Sequence, residues 1–406
     1  MFTFAALNDT KTIKHIMIGI FNDNFPPVLD GVGITAQNYA YWLKEIGHDV
    51  SVVTPYAPNM QEVLATASYP IHRYISVPIP FRSPYRYGLP YVDISFMRQW
   101  NKMKFDLVHA HCPFTTGKLA YQISQKQQIP FVATFHSKYR QDFEHNVRCK
   151  PIVDWMVKHI IQFYEKADEV WIPLPAVEET LREYGFKGHV EVVENGNDFY
   201  ASKAKIAIMR EAMRNELGIA PNETMLLFVG QHTWEKNISF ILESLALMKD
   251  QPFYFFMVGT GYAVHAIRTL IAQLGLSHRV TLLGCIHDRE RLKRIYAAAD
   301  MFLFPSLYDT CGLVVREAAA MHTPSLLLRE STAATAITDG VNGFLTHNNP
   351  MDFSQQIIYL MEHTEEMRRV GERASKTISR SWESVMEEVV LRYRDLQESY
   401  RFRHGK

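Results

Sequence analysis

The sequence predicts an α/β protein made of two doubly wound halves that face a central cleft. Three observations lead there. Strand and helix signals alternate along nearly the whole chain, and alternation of this kind gives parallel sheets covered by helices on both faces. The alternation pauses at a turn-rich joint, Asn195, Gly196, Asn197 and Asp198, and then restarts. At 406 residues the chain also exceeds what one ordinary hydrophobic core accommodates, so two domains are expected.

The elements follow in order. His15 to Phe21 is an apolar run that reads as a buried strand. A loop rich in Pro, Asp and Gly leads to helical periodicity over Ile34 to Ile46, which stops at Gly47. Asp49 to Thr54, Asp106 to Ala110, Phe131 to Phe135, Glu169 to Ile172 and Val190 to Val193 continue the strand series. Past the joint come strand Met225 to Gly230, helix Ile238 to Met248, strand Tyr254 to Gly259 and helix Val264 to Leu274. Strands Val280 to Leu283, Met301 to Phe304 and Ser325 to Leu328 follow. The expected domains are 1–198 and 199–380, with a final amphipathic helix in 381–406 that could cross back onto the first half. In open α/β sheets, ligands sit outside the carboxyl ends of the strands, so the cleft between two sets of strand ends is the expected active site.

Composition narrows the class. Hydrophobic residues at 47% and charged residues at 21% fit a soluble globular protein. Lys plus Arg and Asp plus Glu are 43 each, for a formal net charge of zero, which argues against nucleic acid as a partner. The four cysteines are scattered without a Cys-x-x-Cys pair, which fits a reducing, cytoplasmic setting and offers no metal framework. His109 and His111 share a strand face but no further ligands accompany them. The N-terminus lacks a basic leader with a long apolar core, and no apolar run is long enough to span a bilayer.

The most informative stretch is Phe304 to Met321, FPSLYDTCGLVVREAAAM. A strand end runs into a polar loop with Asp309, and Gly312 opens a helix whose second turn carries Glu317. A helix start offers unpaired N–H groups and a positive dipole end, which suit phosphate. Carboxylates only accept hydrogen bonds, which suits sugar hydroxyls. A ligand with phosphates between two polyols is a nucleotide sugar.

The chain resembles family 4 of the retaining glycosyltransferases, which have the GT-B fold of two Rossmann-like domains facing a central cleft. The family's mark is a pair of glutamates separated by seven residues beside a helix opening Gly-Leu-Val; here the pair is Asp309 and Glu317. FVGQHTWEKN (Phe228 to Asn237), VGTGY (Val258 to Tyr262), DGVGI (Asp30 to Ile34), HAHCPF (His109 to Phe114), TFHSKY (Thr134 to Tyr139) and DGVNGFL (Asp339 to Leu345) also match the family's segments. DGVGI with TFHSKY looks most like relatives that transfer glucose to diacylglycerol.

What the resemblance implies is specific. Glu317 would accept from the ribose hydroxyls and Asp309 from the transferred sugar, although Asp309 is shorter than the family's glutamate by one carbon, roughly 1.5 Å. Thr310, Gly312, Leu313 and Val314 would meet the sugar and diphosphate, Gly312, Leu313 and Val314 through backbone N–H groups. Lys236 would neutralise the diphosphate. Gln231 stands where the family usually has arginine, so one fixed positive charge is missing unless His232 is protonated. Gly31, Gly33 and Gly259 would let backbone approach the donor, and His136 would sit near the anomeric carbon. His109 and His111 are expected as wall residues, and Cys311 as packing. Gly31 and Gly33 do not match the dinucleotide fingerprint Gly-x-Gly-x-x-Gly, which weakens a hydride-transfer reading.

The implied reaction moves a hexose, glucose by resemblance, from a nucleoside diphosphate, UDP favoured, to an acceptor hydroxyl with retention. Neither cofactor nor metal is expected. The segment Arg73 to Lys104 interleaves Arg73, Arg82, Arg86, Arg98, Lys102 and Lys104 with aromatic residues and Met. That pattern suits docking on an anionic membrane surface, and hence a lipid acceptor and a peripheral position on the inner face of the membrane. Two alternatives stand beside transfer. One is a sugar-nucleotide epimerase or hydrolase. The other is a sugar-nucleotide-binding protein without turnover, motivated by Asp309 and Gln231.

Overall fold

The computed structural model describes residues 15–28, 30–80, 84–147, 149–307, 309 and 312–405. Two parallel sheets carry the fold. In the first half, β1 (Met17–Phe21), β2 (Asp49–Pro55), β3 (Ile71–Tyr74), β6 (Leu107–Ala110), β7 (Phe131–Thr134), β8 (Glu169–Ile172) and β9 (Val190–Val192) form one sheet. Their order is β3-β2-β1-β6-β7-β8-β9, and every pairing is parallel. A two-stranded antiparallel hairpin, β4 (Ser76–Pro78) with β5 (Arg86–Gly88), stands apart from it.

In the second half, β10 (Thr224–Val229), β11 (Phe253–Val258), β12 (Val280–Gly284), β13 (Met301–Phe304), β14 (Ser325–Leu328) and β15 (Phe344–Thr346) pair in the order β12-β11-β10-β13-β14-β15, again all parallel. The central strands are continuous apolar runs because helices cover both sheet faces. β10 and β13 are buried at every residue.

In each sheet the chain reverses direction of winding at one point, between β1 and β6 in the first and between β10 and β13 in the second. The loops that leave these strands splay apart and open a crevice at the carboxyl ends.

The C-terminal helix Trp382–Arg403 belongs to the first half's core. Trp382, Val385, Met386, Val389, Tyr393 and Leu396 pack with Ile18, Ile20, Tyr39, Leu43 and Trp171. Each such buried side chain contributes about 1.5–3 kcal/mol relative to exposure. The joint is hydrogen-bonded to the returning chain. Asn197 N donates to Arg380 O at 2.8 Å and Trp382 N to Asn197 O at 3.3 Å. Asn197 Nδ2 also reaches Arg316 O in the second half at 2.6 Å. The two chain crossings between the halves are therefore tied at one place.

Candidate active site

The loop after β13 leads through Asp309 to Gly312, whose φ of 58° lies in the left-handed region, where a Cβ is unfavourable. Helix Leu313–Ala320 starts there with no side chain capping it among the described residues. Its free first-turn amides and dipole give a positive helix end. Opposite stands helix Gly31–Glu45 of the first half. A Cβ on Gly31 would lie 3.8 Å from Leu313 Cδ1, so two helix starts, one from each half, confront each other across the cleft.

Two more contacts cross the same gap. Lys138 Nζ donates to Leu307 O at 3.1 Å, and Gln231 Nε2 donates to Tyr85 OH at 3.4 Å. Lys138 follows β7, so the TFHSKY segment lines the wall that meets the Asp309 loop.

Lys236 lies on the short turn Trp234–Lys236 after β10. Asn237 Nδ2 bonds Pro305 O at 3.2 Å and draws this turn to the β13 loop. Lys236 Nζ then meets Asp309 Oδ1 at 2.6 Å, with both side chains largely covered. The second carboxylate oxygen of Asp309 is buried without a partner among the described residues, which leaves it acceptor capacity for a hydroxyl.

Glu317 is held from two sides. Arg289 Nη2 donates to its Oε1 at 2.8 Å and Tyr296 OH to its Oε2 at 2.9 Å. Arg289 also donates to Asp198 Oδ1 at 2.5 Å, and its guanidinium lies 4.2 Å over the Phe199 ring. A carboxylate offers about four acceptor positions, so Glu317 keeps about two after these bonds. The sequence reading missed Arg289, Tyr296, Asp198 and Phe199. One signal was present: Asp288 caps helix Arg289–Ala298, which puts a cation at the first helical position, where the dipole opposes it. Such a residue needs another reason to be there.

Several expectations are corrected. The Gly33 N–H donates to Asp30 Oδ1 at 2.5 Å as part of the helix cap. Asn24 Nδ2 donates to the other Asp30 oxygen at 2.8 Å, and burial pushes the Asp30 carboxyl up to about 6. Gly259 is required by close backbone packing: a Cβ there would stand 1.9 Å from Gly230 O.

His232 does not replace the missing arginine charge. It is fully buried, and burial pulls its imidazole down to about 4, so it is neutral at physiological pH. His109 and His111 are fully buried core residues rather than cleft wall. His109 bonds Tyr393 OH and Thr134 Oγ1, each at 2.6 Å.

His136 lies just past β7, is 6% exposed, and burial holds it near 3, hence neutral. Val314 and Leu313 lie where expected, at the uncapped helix start. Thr310, Cys311 and Arg82 lie outside the described residues. Among the described residues no three His, Cys, Asp or Glu side chains converge to hold a metal ion.

Two Rossmann-like domains with facing switch points, and a cleft set with an uncapped helix start, a lysine and two carboxylates, define a glycosyltransferase of the GT-B class. Residues 29–199 match the family model described as Glycosyltransferase Family 4, and residues 209–377 match that described as Glycosyl transferases group 1. The chain belongs to glycosyltransferase family 4. It is 26% identical over 372 residues to the alpha-monoglucosyldiacylglycerol synthase of Acholeplasma laidlawii, covering 88% of this chain and 91% of that one. It is 26% identical over 339 residues to the Streptococcus pneumoniae protein of the same name, covering 81% and 74%. The crystal structure of Anabaena HepE in complex with UDP-glucose shares the fold with a TM-score of 0.76 at 18% identity, covering 94% of this chain and all of that one.

Proposed function

We propose that this protein is a retaining hexosyltransferase that moves glucose from UDP-glucose to the hydroxyl of a membrane lipid such as diacylglycerol, without a metal ion. The observation that carries the reading is the confrontation of the Gly31 and Leu313 helix starts, with Lys236 and Asp309 paired beside them. Residues 1–198 are assigned as the acceptor-side domain, 199–380 as the nucleotide-sugar domain and 381–406 as a returning helix.

The donor lies with its ribose on the open acceptor positions of Glu317 and its diphosphate on the Leu313 and Val314 amides. Lys236 turns from Asp309 to the diphosphate, and Asp309 accepts from the sugar hydroxyls. Breaking the bond to the diphosphate builds negative charge on the leaving oxygen, and donors already aimed at that oxygen lower the barrier. The acceptor attacks from the face the diphosphate leaves, and the departing phosphate takes the acceptor's proton. Lys138 and Tyr85, which reach across the cleft, favour a closed state that keeps water from the donor.

The lipid acceptor is supported by the names of the two relatives and by a surface. Tyr91, Val92 and Ile94 are exposed, Val92 and Ile94 at 64% and 69%, with Arg98, Lys102 and Lys104 exposed nearby in the chain. Arg86 is not part of this basic set, because it bonds Ser76 within the hairpin. No helix among the described residues is long and apolar enough to cross a membrane, and the proposed location is peripheral, on the inner face of the cell membrane.

A second reading, binding without turnover, is favoured by the neutral pair Gln231 and His232 where a cation is usual. Incubation with UDP-glucose and a lipid extract separates the readings. Nucleotide release that depends on the lipid supports transfer. Release or isomerisation without lipid supports an epimerase or hydrolase, and binding without product supports the silent module. Flotation with anionic liposomes at low salt tests the membrane surface, and absence of binding removes the lipid acceptor alone.

A further inference from the structure

A cavity of about 390 Å³ opens between helix Gly31–Glu45, the segment that leads from helix Gln61–Thr66 into β3, and the joint. That volume lies within the range of small-ligand pockets, about 300–1,000 Å³. Tyr41, Trp42, Tyr69, Gln37, Asn38 and Asp198 line it, whereas Lys236, Asp309 and Glu317 do not. It is therefore separate from the side chains proposed to hold the donor.

The lining selects a chemistry. It includes no Lys, Arg or His among the described residues, so a phosphate or carboxylate finds no cation there. Asn38 Nδ2 donates to Ile34 O at 2.9 Å, which leaves its carbonyl oxygen to accept. Thr66 Oγ1, also on the wall, donates its one hydrogen to Glu62 O at 2.9 Å, and it too can then only accept. Asp198 takes two bonds from Arg289, Nη2 to Oδ1 at 2.5 Å and Nε to Oδ2 at 3.3 Å. Of the roughly four acceptor positions of a carboxylate, about two remain. A fitting ligand must bring hydrogen-bond donors without negative charge. The Tyr41 and Trp42 rings add aromatic surface, edge to face at 5.4 Å, and Tyr41 is 44% exposed. The negative face of an aromatic ring attracts the slightly positive hydrogens of C–H bonds. A pyranose supplies both kinds of contact, hydroxyls on its rim and C–H bonds on its faces. A cationic amine fits less well, because Asp198 is already paired with Arg289.

We infer that this cavity binds an uncharged glycosyl group, its C–H face on Tyr41 and its hydroxyls donating to Asn38 and Asp198. The site acts on the donor site through the joint. Asp198 holds Arg289, and Arg289 Nη2 holds Glu317 Oε1 at 2.8 Å. A sugar that bridges Asp198 to helix Gly31–Glu45 fixes Asp198, and with it the guanidinium that orients Glu317. Occupancy therefore strengthens nucleoside binding, and the nucleoside strengthens sugar binding by the same factor. The coupling rests on the proposed ribose role of Glu317; the cavity does not.

The test is saturation-transfer difference NMR on the full-length protein with methyl α-D-glucopyranoside, and with octyl α-D-glucopyranoside below its micelle concentration. Ring-proton contacts are expected for both, lost in Y41A and weakened in Q37A, while UDP affinity in the absence of sugar stays at the wild-type value in each variant. Tighter binding of the octyl glycoside marks a glycolipid headgroup as the source, and equal binding marks a free sugar. Contacts as strong in both variants as in the wild type place the sugar elsewhere and overturn the site. Choline held more tightly than either glycoside, and lost in Y41A, overturns the ligand class. With saturating methyl glucoside, calorimetry should show uridine binding about fivefold more tightly to the wild type, at the low end of couplings between sites, and unchanged in Y41A. Sugar contacts at Tyr41 with uridine affinity unmoved overturn the coupling. A wild type that binds neither uridine nor UDP fails the proposed function instead, and the NMR contacts still judge the cavity.

Discussion

Lys236 Nζ donates to Asp309 Oδ1 at 2.6 Å across two loops that leave neighbouring strands, β10 and β13. The ammonium proposed for a diphosphate is thus paired with the carboxylate proposed for a sugar. On the proposed function, a donor competes with Asp309 for Lys236, and success frees Asp309 for the hydroxyls.

Replacing the carboxylate tests that competition. Asp309→Asn removes both the hold on Lys236 and the repulsion of phosphate, so UDP should bind about fivefold more tightly, for a coupling of roughly 1 kcal/mol. Hexose transfer should fall at the same time. Calorimetry on the variant checks it, and UDP affinity at or below the wild-type value rules out the competition.

Gln231 leaves the site short of a cation, and neutral His232 does not make this up. Gln231→Arg should therefore strengthen UDP binding by about fivefold to tenfold through one charge-assisted bond. Binding of the nucleoside without phosphates should be unchanged. Equal gains for both ligands would show that the arginine acts through folding rather than on the diphosphate.

Arg289 orients Glu317 and ties it to Asp198 in the joint. Arg289→Met should weaken nucleoside binding by roughly tenfold or more, because two partly buried carboxylates lose their shared partner. Uridine alone is the informative ligand, since the loss lies at the ribose. A loss seen with UDP but absent with uridine would place Arg289 at the phosphates instead.

Asp30 gives a pH signature with a definite sign. Burial raises its folded carboxyl to about 6 from an ordinary 3.8. Between those values the folded state binds the proton and the unfolded state does not, so stability falls as pH rises from about 4 to about 6. The full effect is at most about 3 kcal/mol. Asp30→Asn keeps an oxygen for the Gly33 cap and removes the titration. Its urea midpoint should therefore exceed that of the wild type at pH 7, and the difference should close toward pH 4. A constant difference across that range would contradict the raised carboxyl.

The α/β halves were readable because their central strands are unbroken apolar runs, as in Met225 to Val229, and only burial on both faces selects such a run. β3, β15 and the β4–β5 hairpin were not, since three or four residues of mixed polarity carry no period. Asp309, Glu317 and Lys236 were singled out on the family resemblance, and the structure brings Asp309 and Lys236 into contact. Arg289 was not, because its partner Asp198 is 91 residues away in the chain. His109 was misread for the same reason: a histidine in a strand looks like a wall residue until Tyr393, 284 residues later, supplies its partner from the C-terminal helix. At Gly33 the structure shows a helix cap and at Gly259 close backbone packing against Gly230, the latter a contact between distant loops that no short window of sequence reveals.

The central claim is that the facing helix starts hold a nucleotide sugar's diphosphate. A crystal structure with UDP-glucose bound tests it most directly. The account predicts phosphate oxygens within hydrogen-bond distance of the Leu313 and Val314 amides and Lys236 Nζ, with the Lys236–Asp309 pair broken. A diphosphate bound away from that helix start, or a Lys236–Asp309 pair still intact beside it, would contradict the account.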